Sequence, residues 1–167
     1  MKVYERDGSS WVQIGSDFIG VNAGDNFGYQ CRISSNGDRV AVSAPYFDTS
    51  TANQGLIRIL EWNGASWDQM RSDIVGNGGL EHQLGNTLEI SGDGNTLAIG
   101  AKGYNGDKCG AIYVYERNGN TWLQIGHTFI GNHNKNLLLG IAIPYDGSII
   151  ATGALNTILC FVKLNQI

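Results

Sequence analysis

The chain carries 167 residues, 42% of them hydrophobic, with 11 Lys plus Arg against 15 Asp plus Glu and a formal net charge of −4. So few cations argue against nucleic acid as a partner, because phosphate-backbone affinity comes from clustered Lys and Arg. The longest apolar run, residues 137–144, is far below the ~20 residues of a bilayer-spanning helix, and no membrane insertion is expected.

Gly accounts for 24 residues and Pro for two, about twice the usual glycine share and without a collagen period, which predicts many tight turns. The turns recur with their surroundings. Trp11, Trp67 and Trp122 stand 56 and 55 residues apart in the frames ERDGSSWVQIG, EWNGASWDQMR and ERNGNTWLQIG. In step with them run SSNGDRVAVSAP, SGDGNTLAIGAK and PYDGSIIATGAL. Such a period marks a single array of like units over 1–167: a partial unit at 1–27, complete ones at 28–84 and 85–139, and a partial one at 140–167.

In chain order, residues 1–6 and the Trp11 segment read as the third and fourth strands of the first unit. MKVYER carries charge where a secretion signal has its apolar stretch, so the chain is either not secreted or lacks its natural start. Strand 28–34 follows, matched by 85–91 and by a shortened copy at 138–143; alternation and β-branched residues support it. The pairs Asn36-Gly37, Asp93-Gly94 and Asp146-Gly147 predict hairpin turns. Next come RVAVSA, TLAIGA and IIATGA, apolar or small on both faces, as in strands packed between neighbouring sheets; they are expected to form the inner wall. GLIRILEW, GAIYVYER and NTILCFVK supply third strands, and SWVQIG, SWDQMR and TWLQIG the fourth. Gly-rich connections at 20–28, 76–85 and 131–140 lead to the next unit.

No stretch combines a sustained helical period with caps. The thirteen strands predict an all-β fold of β-propeller blades, each of four antiparallel strands, about three repeats in an open or partial propeller. Propellers close with about four to eight blades, so the chain is expected to be a segment of a longer propeller or to complete itself with a second copy.

Three Cys, spaced 78 and 51 residues apart, fit neither a zinc site nor a disulfide framework. Cys31 stands where later copies have Leu88 and Ile141, and Cys160 where earlier ones have Val3, Ile59 and Val114, so both are expected in the core. Cys109, in a Gly-rich loop, is expected to be exposed. Trp11, Trp67 and Trp122 share one register and are expected to pack an outer strand; Trp62, outside the repeat, is the better candidate for an exposed ring.

His82, His127 and His133 fall in or beside connections without a repeated carboxylate or nucleophile, and no hydrolase, zincin or phosphate-loop motif occurs. No catalytic residue is assigned, and the chain is read as a non-enzyme. Asp17, Asp73 and Thr128 share a position and are read as turn or capping residues. Specificity is expected in the loop between second and third strands, long at 45–54, shorter at 102–109 and almost absent after Ala154, because per-repeat insertions gather on one face. Tyr46, Phe47, Asp48, Tyr104, Asn105 and Asp107 are the candidate binding residues, offering adaptable polar and aromatic contact.

The run Phe27-Gly28, Ile33-Ser34-x-Asn36-Gly37, Val40-Ala41-Val42-Ser43-Ala44-Pro45 and Gly55-Leu56-Ile57-Arg58-Ile59 resembles the FG-GAP repeat, the blade unit of integrin α-chain propellers. Leu84-Gly85 with Gly100-Ala101-Lys102, and Leu139-Gly140 with Gly153-Ala154-Leu155, are looser copies. The resemblance implies a recognition or adhesion module, often extracellular or at the cell surface, with a protein or glycan partner. Many integrin-type blades carry an Asp-rich calcium loop between the first and second strands. Here 34–38, 91–95 and 144–148 offer one or two side-chain oxygens where Ca²⁺ takes six to eight ligands, so no metal or cofactor is expected. The alternatives are a structural subunit of a larger assembly, its blade edges buried by partners, and a propeller glycosidase or lyase.

Overall fold

The computed structural model describes residues 1–104, 109–131, 137–154 and 157–163. Strands β1 (Tyr4–Asp7) and β2 (Ser10–Gln13) make a two-stranded sheet. Strands β3 (Cys31–Ile33), β4 (Arg39–Ala44), β5 (Leu56–Trp62) and β6 (Trp67–Gln69) form an antiparallel meander, and β7 (Ile74–Val75) also pairs with β5. The next meander is β8 (Leu84–Ile90), β9 (Thr96–Ala101), β10 (Ala111–Asn118) and β11 (Thr121–Ile130). Strands β12 (Leu137–Ala142), β13 (Ile149–Ala154) and β14 (Thr157–Lys163) form a three-stranded sheet. Among the described residues there is no helix. Among the described residues the architecture is an open, partial β-propeller: two full meanders flanked by a two-stranded and a three-stranded sheet.

One strand more appears than the sequence predicts, because the fourth strand bulges. Leu60 faces Gln69 and Ile57 faces Ile74, which splits that strand into β6 and β7. In the following blade Tyr115 faces Gln124 and Ile112 faces Phe129, the same bulge inside an unbroken β11. The first strand of the second unit is shorter than expected, since the amides of Gly28 and Tyr29 both turn onto the Ser43 carbonyl.

Every residue of β4 and β9 is buried, as two-sided packing requires. Leu88 and Ile90 cluster with Ala41, Ile57 and Ile59 of the preceding blade, and Ile141 and Ile143 pack on Ala98 and Val114. Met1, Val3, Ile14 and Phe18 make the corresponding seam against Val40, Val42, Leu60 and Trp67. Small side chains at Ala41 and Ala98 let the sheets approach. The expected inner wall is corrected: in the three sheets that contain them, the first strand (β3, β8 or β12) holds the sheet edge, and the small-residue strand (β4, β9 or β13) stands one place in.

The Asx-Gly turns also differ from a two-residue hairpin. Ser34 N–H donates to the Arg39 carbonyl at 2.9 Å and Gly37 N–H to that of Ser34, so four residues are enclosed. The serine hydroxyl enforces the wider loop: Ser34 Oγ accepts from Arg39 N at 3.0 Å, and Ser91 Oγ from Thr96 N at 2.9 Å. Glycine supplies the left-handed residue, with φ of 77° at Gly37, 71° at Gly94 and 68° at Gly147.

Two further expectations are corrected. Trp67 and Trp122 are buried, but Trp11 is 69% exposed because no described blade covers its face, and Trp62 is half-buried with its ring 5.3 Å from that of Trp67. Cys109 is buried and Cys31 exposed, the reverse of the expected order. The register is not at fault, since Cys31 faces Val42 as Leu88 faces Ile99. The β1–β2 sheet and the residues beside it pack on Val40, Val42 and Leu60 and leave β3 at the uncovered edge. Cys109 turns inward, its thiol toward the Tyr104 carbonyl at 4.0 Å. The side chain of Cys160 lies outside the described residues.

Candidate functional site

Loop 45–54 leaves β4 at buried Pro45. It is closed at its base by Phe47 N–H on the Ala44 carbonyl, at 3.1 Å, and by Gly55 N–H on the Phe47 carbonyl, at 3.0 Å. Asp48 Oδ1 accepts from Asn53 N–H at 2.7 Å, and the Thr49 hydroxyl meets Gln54 Oε1. The loop therefore uses its own polar groups to hold one shape.

Connection 76–83 is laced along it. The N–H groups of Glu81, Gln83 and Leu84 donate to the carbonyls of Ala52, Asn53 and Gln54 at 3.3, 2.8 and 3.0 Å. The Glu81 carboxylate accepts from Asn53 Nδ2 at 2.8 Å and from Gln83 Nε2 at 2.9 Å. Asn53, Glu81 and Gln83 all have left-handed backbones, with φ of 52°, 56° and 50°. Asn tolerates that conformation, but at Glu81 and Gln83 it costs about 1–2 kcal/mol each, so the hydrogen bonds between the two segments over-determine a strained geometry.

His82 points the other way, into the core. It is 1% exposed, with Nε2 2.8 Å from the Tyr113 hydroxyl and its ring edge-on to that tyrosine at 5.5 Å. Gly78 N–H donates to Nδ1 at 3.3 Å. Burial lowers the His82 pKa to about 4, a hydrogen bond with the Gln54 backbone opposing it, and burial pushes Tyr113 up. Gly103 N–H reaches the His82 carbonyl at 3.1 Å, tying the next blade's loop to the same face.

Among the sequence-predicted residues, Tyr46 and Phe47 are half-buried at the loop base and Asp48 is exposed. Tyr104 is half-buried against the core. Asn105 and Asp107 lie outside the described residues, as does His133. Sequence reasoning missed Asn53, Glu81 and Gln83 and gave His82 no partner. A faint signal existed in the repeat: Asp25 and Asn26 hold the register of His82 and Gln83 before Phe27-Gly28 and Leu84-Gly85. Asp25 and His82 are both buried, each accepting from an N–H of its own connection, and Asn26 and Gln83 are both left-handed.

The opposite end of the sheets is occupied by structural contacts. Glu61 Oε1 accepts from Arg39 Nη2 at 2.7 Å and from Arg117 Nη2 at 3.3 Å, joining two blades. Asn36, Asp93 and Asp146 each turn Oδ1 back onto a serine of their own turn. Among the described residues no group of three His, Cys, Asp or Glu side chains is placed to hold a metal ion.

No family model matches the chain, and no curated protein does. Among solved structures it is similar to the crystal structure of TolB from Acinetobacter baumannii, at 14% identity and a TM-score of 0.49. The match covers 99% of this chain and 38% of that one, so the chain spans well under half the length of the TolB chain.

Proposed function

We propose that the chain is a non-catalytic recognition module of FG-GAP-like propeller blades, binding a protein or glycan through the face made by loop 45–54, connection 76–83 and Tyr104. The observation that carries this reading is the interlock of Asn53, Glu81 and Gln83, three left-handed residues hydrogen-bonded to one another across two segments. A loop held in one strained shape loses little entropy when it binds, which is where preorganisation gains affinity. The same hydrogen bonds favour binding over catalysis. Asp48 and Glu81 are engaged by amides of their own loops and act as struts, whereas a glycosidase needs two carboxyl groups free to exchange protons.

A glycan array and a displayed peptide library, each probed with the folded chain and with a Tyr46→Ala, Asp48→Ala variant, test the reading. Binding to one class that the double variant loses is the expected result. Silence on both, or binding that the variant keeps, overturns it.

A further inference from the structure

We infer that His82 is a proton-operated latch: its neutral ring holds connection 76–83 against loop 45–54, and protonation frees the connection while the blades stay folded. The ring lies between two glycines of its own connection. A Cβ on Gly76 would stand 2.5 Å from Nδ1, and one on Gly78 would stand 2.5 Å from Nε2. Three segments meet at this residue, since Nδ1 takes Gly78 N–H, Nε2 meets the Tyr113 hydroxyl of β10, and the His82 carbonyl takes Gly103 N–H from the next loop. In the preceding copy Asp25 holds the same place, and its Oδ2 accepts Asn22 N–H at 2.9 Å. The repeat thus requires an acceptor here, and histidine makes it one that a proton removes.

With Nδ1 accepting, the neutral ring carries its hydrogen on Nε2 and donates to Tyr113. A second proton has only Nδ1 to occupy. There it meets Gly78 N–H, donor against donor, and turns to the Gln54 carbonyl, whose oxygen a Cβ on Gly76 would touch together with Nδ1. That carbonyl already accepts Leu84 N–H at 3.0 Å, one of the bonds that lace the connection to the loop. Acid therefore orphans one amide and sets another in competition for its acceptor, around a cation that burial has stripped of water.

The titratable groups around the ring, among the described residues, are Tyr113 with Tyr104, Cys109 and Tyr115 near it. Asp48, Glu81 and Lys102, one on each segment of the face, are exposed, and amides engage both carboxylates. Among these groups the charged ring has no counter-ion. The connection is the part that yields: Asn77, Leu80 and Glu81 are exposed, and opening relieves the left-handed backbones of Glu81 and Gln83, whereas every residue of β9 beside them is buried. The face is the one proposed above to bind, but the latch needs no partner, and a test that reads the connection itself lets the two readings fail separately.

Hydrogen exchange followed peptide by peptide from pH 7 to pH 5, corrected for the intrinsic rate at each pH, tests it. Opening lets the ring titrate at its ordinary value, so protection of amides 78–84 is expected to fall about twentyfold over that span, while β9 keeps its protection. His82→Asn offers Gly78 N–H an oxygen, as Asp25 does for Asn22, and is expected to stay closed and lose the pH dependence. If that variant does not fold, the native ring decides, its titration by nitrogen-resolved NMR being expected far below 6.5. Protection at 78–84 that ignores pH or falls together with β9, pH dependence that survives in His82→Asn, or a folded ring that titrates near 6.5 overturns the proposal.

Discussion

Arg58 holds Asp73 through two hydrogen bonds across the bulge between β6 and β7, Nε to Oδ1 at 2.9 Å and Nη2 to Oδ2 at 2.7 Å. Gln69 donates to the same carboxylate at 3.0 Å. One copy earlier Lys2 stands 3.4 Å from Asp17, to which Gln13 donates. One copy later the two places hold Tyr113 and Thr128, and Gln124 still donates to the threonine hydroxyl at 3.1 Å. A glutamine thus bridges the bulge in every copy, while the ion pair is exchanged for neutral groups in the third. Asp73→Ala strands a guanidinium whose side chain is 18% exposed and is expected to cost about 2 kcal/mol in urea unfolding. Asp17→Ala, at the solvated copy of the pair, is expected to leave the midpoint unchanged. Equal losses in the two variants would mean that the fork adds nothing beyond the glutamine bridge.

Thiol reactivity should follow exposure, not loop membership. Cys31 is exposed, its thiol 3.1 Å from Met1 Sδ, whereas Cys109 is 4% exposed. A maleimide reagent followed by peptide mapping is expected to modify Cys31 within the folded state and Cys109 only on unfolding. Faster modification of Cys109 would place loop 102–109 outside the core.

The buried histidine makes stability fall with acid. Its folded pKa, about 4, lies below the unfolded value of 6.5, so the unfolded chain binds the extra proton. The stabilisation is complete above pH 6.5, declines as the pH falls toward 4 and is exhausted below it, a loss of about 3 kcal/mol at most. Urea midpoints of the native chain and of His82→Gln, compared from pH 7 to pH 4, are expected to differ in slope, the variant being flatter. Parallel curves would assign the acid sensitivity to other groups.

The blades were legible because alternation and repeat register report on the chain itself: RVAVSA and TLAIGA coincide with β4 and β9. Exposure was less legible, since Trp11 and Cys31 hold core positions of the repeat yet no described sheet covers either. A register says which face a side chain occupies, not whether another sheet lies on it. The candidate site was hidden for a different reason. Glu81 and Gln83 are not residues that announce a left-handed backbone, and their strain is imposed by hydrogen bonds to a loop nearly thirty residues away.

The joint between the two complete blades is set by backbone meeting backbone at Gly55. Gly55 and Leu84 form a parallel bridge, flanked by Leu84 N–H on the Gln54 carbonyl and Gly76 N–H on that of Gly55, both at 3.0 Å. A Cβ on Gly55 would run into the Leu84 carbonyl oxygen and stand 2.5 Å from its amide nitrogen. Backbone cannot turn aside as a side-chain tip can, so the blades must part. Its φ of 84° adds the left-handed penalty, which Gly64, at 96° with open space around it, isolates. Gly64→Ala is expected to lose about 1 kcal/mol from that penalty alone. Gly55→Ala is expected to lose about 3 kcal/mol or more, the excess coming from the clash. If chemical denaturation gives the two variants the same loss, the close approach of Gly55 to Leu84 does not hold the blades together.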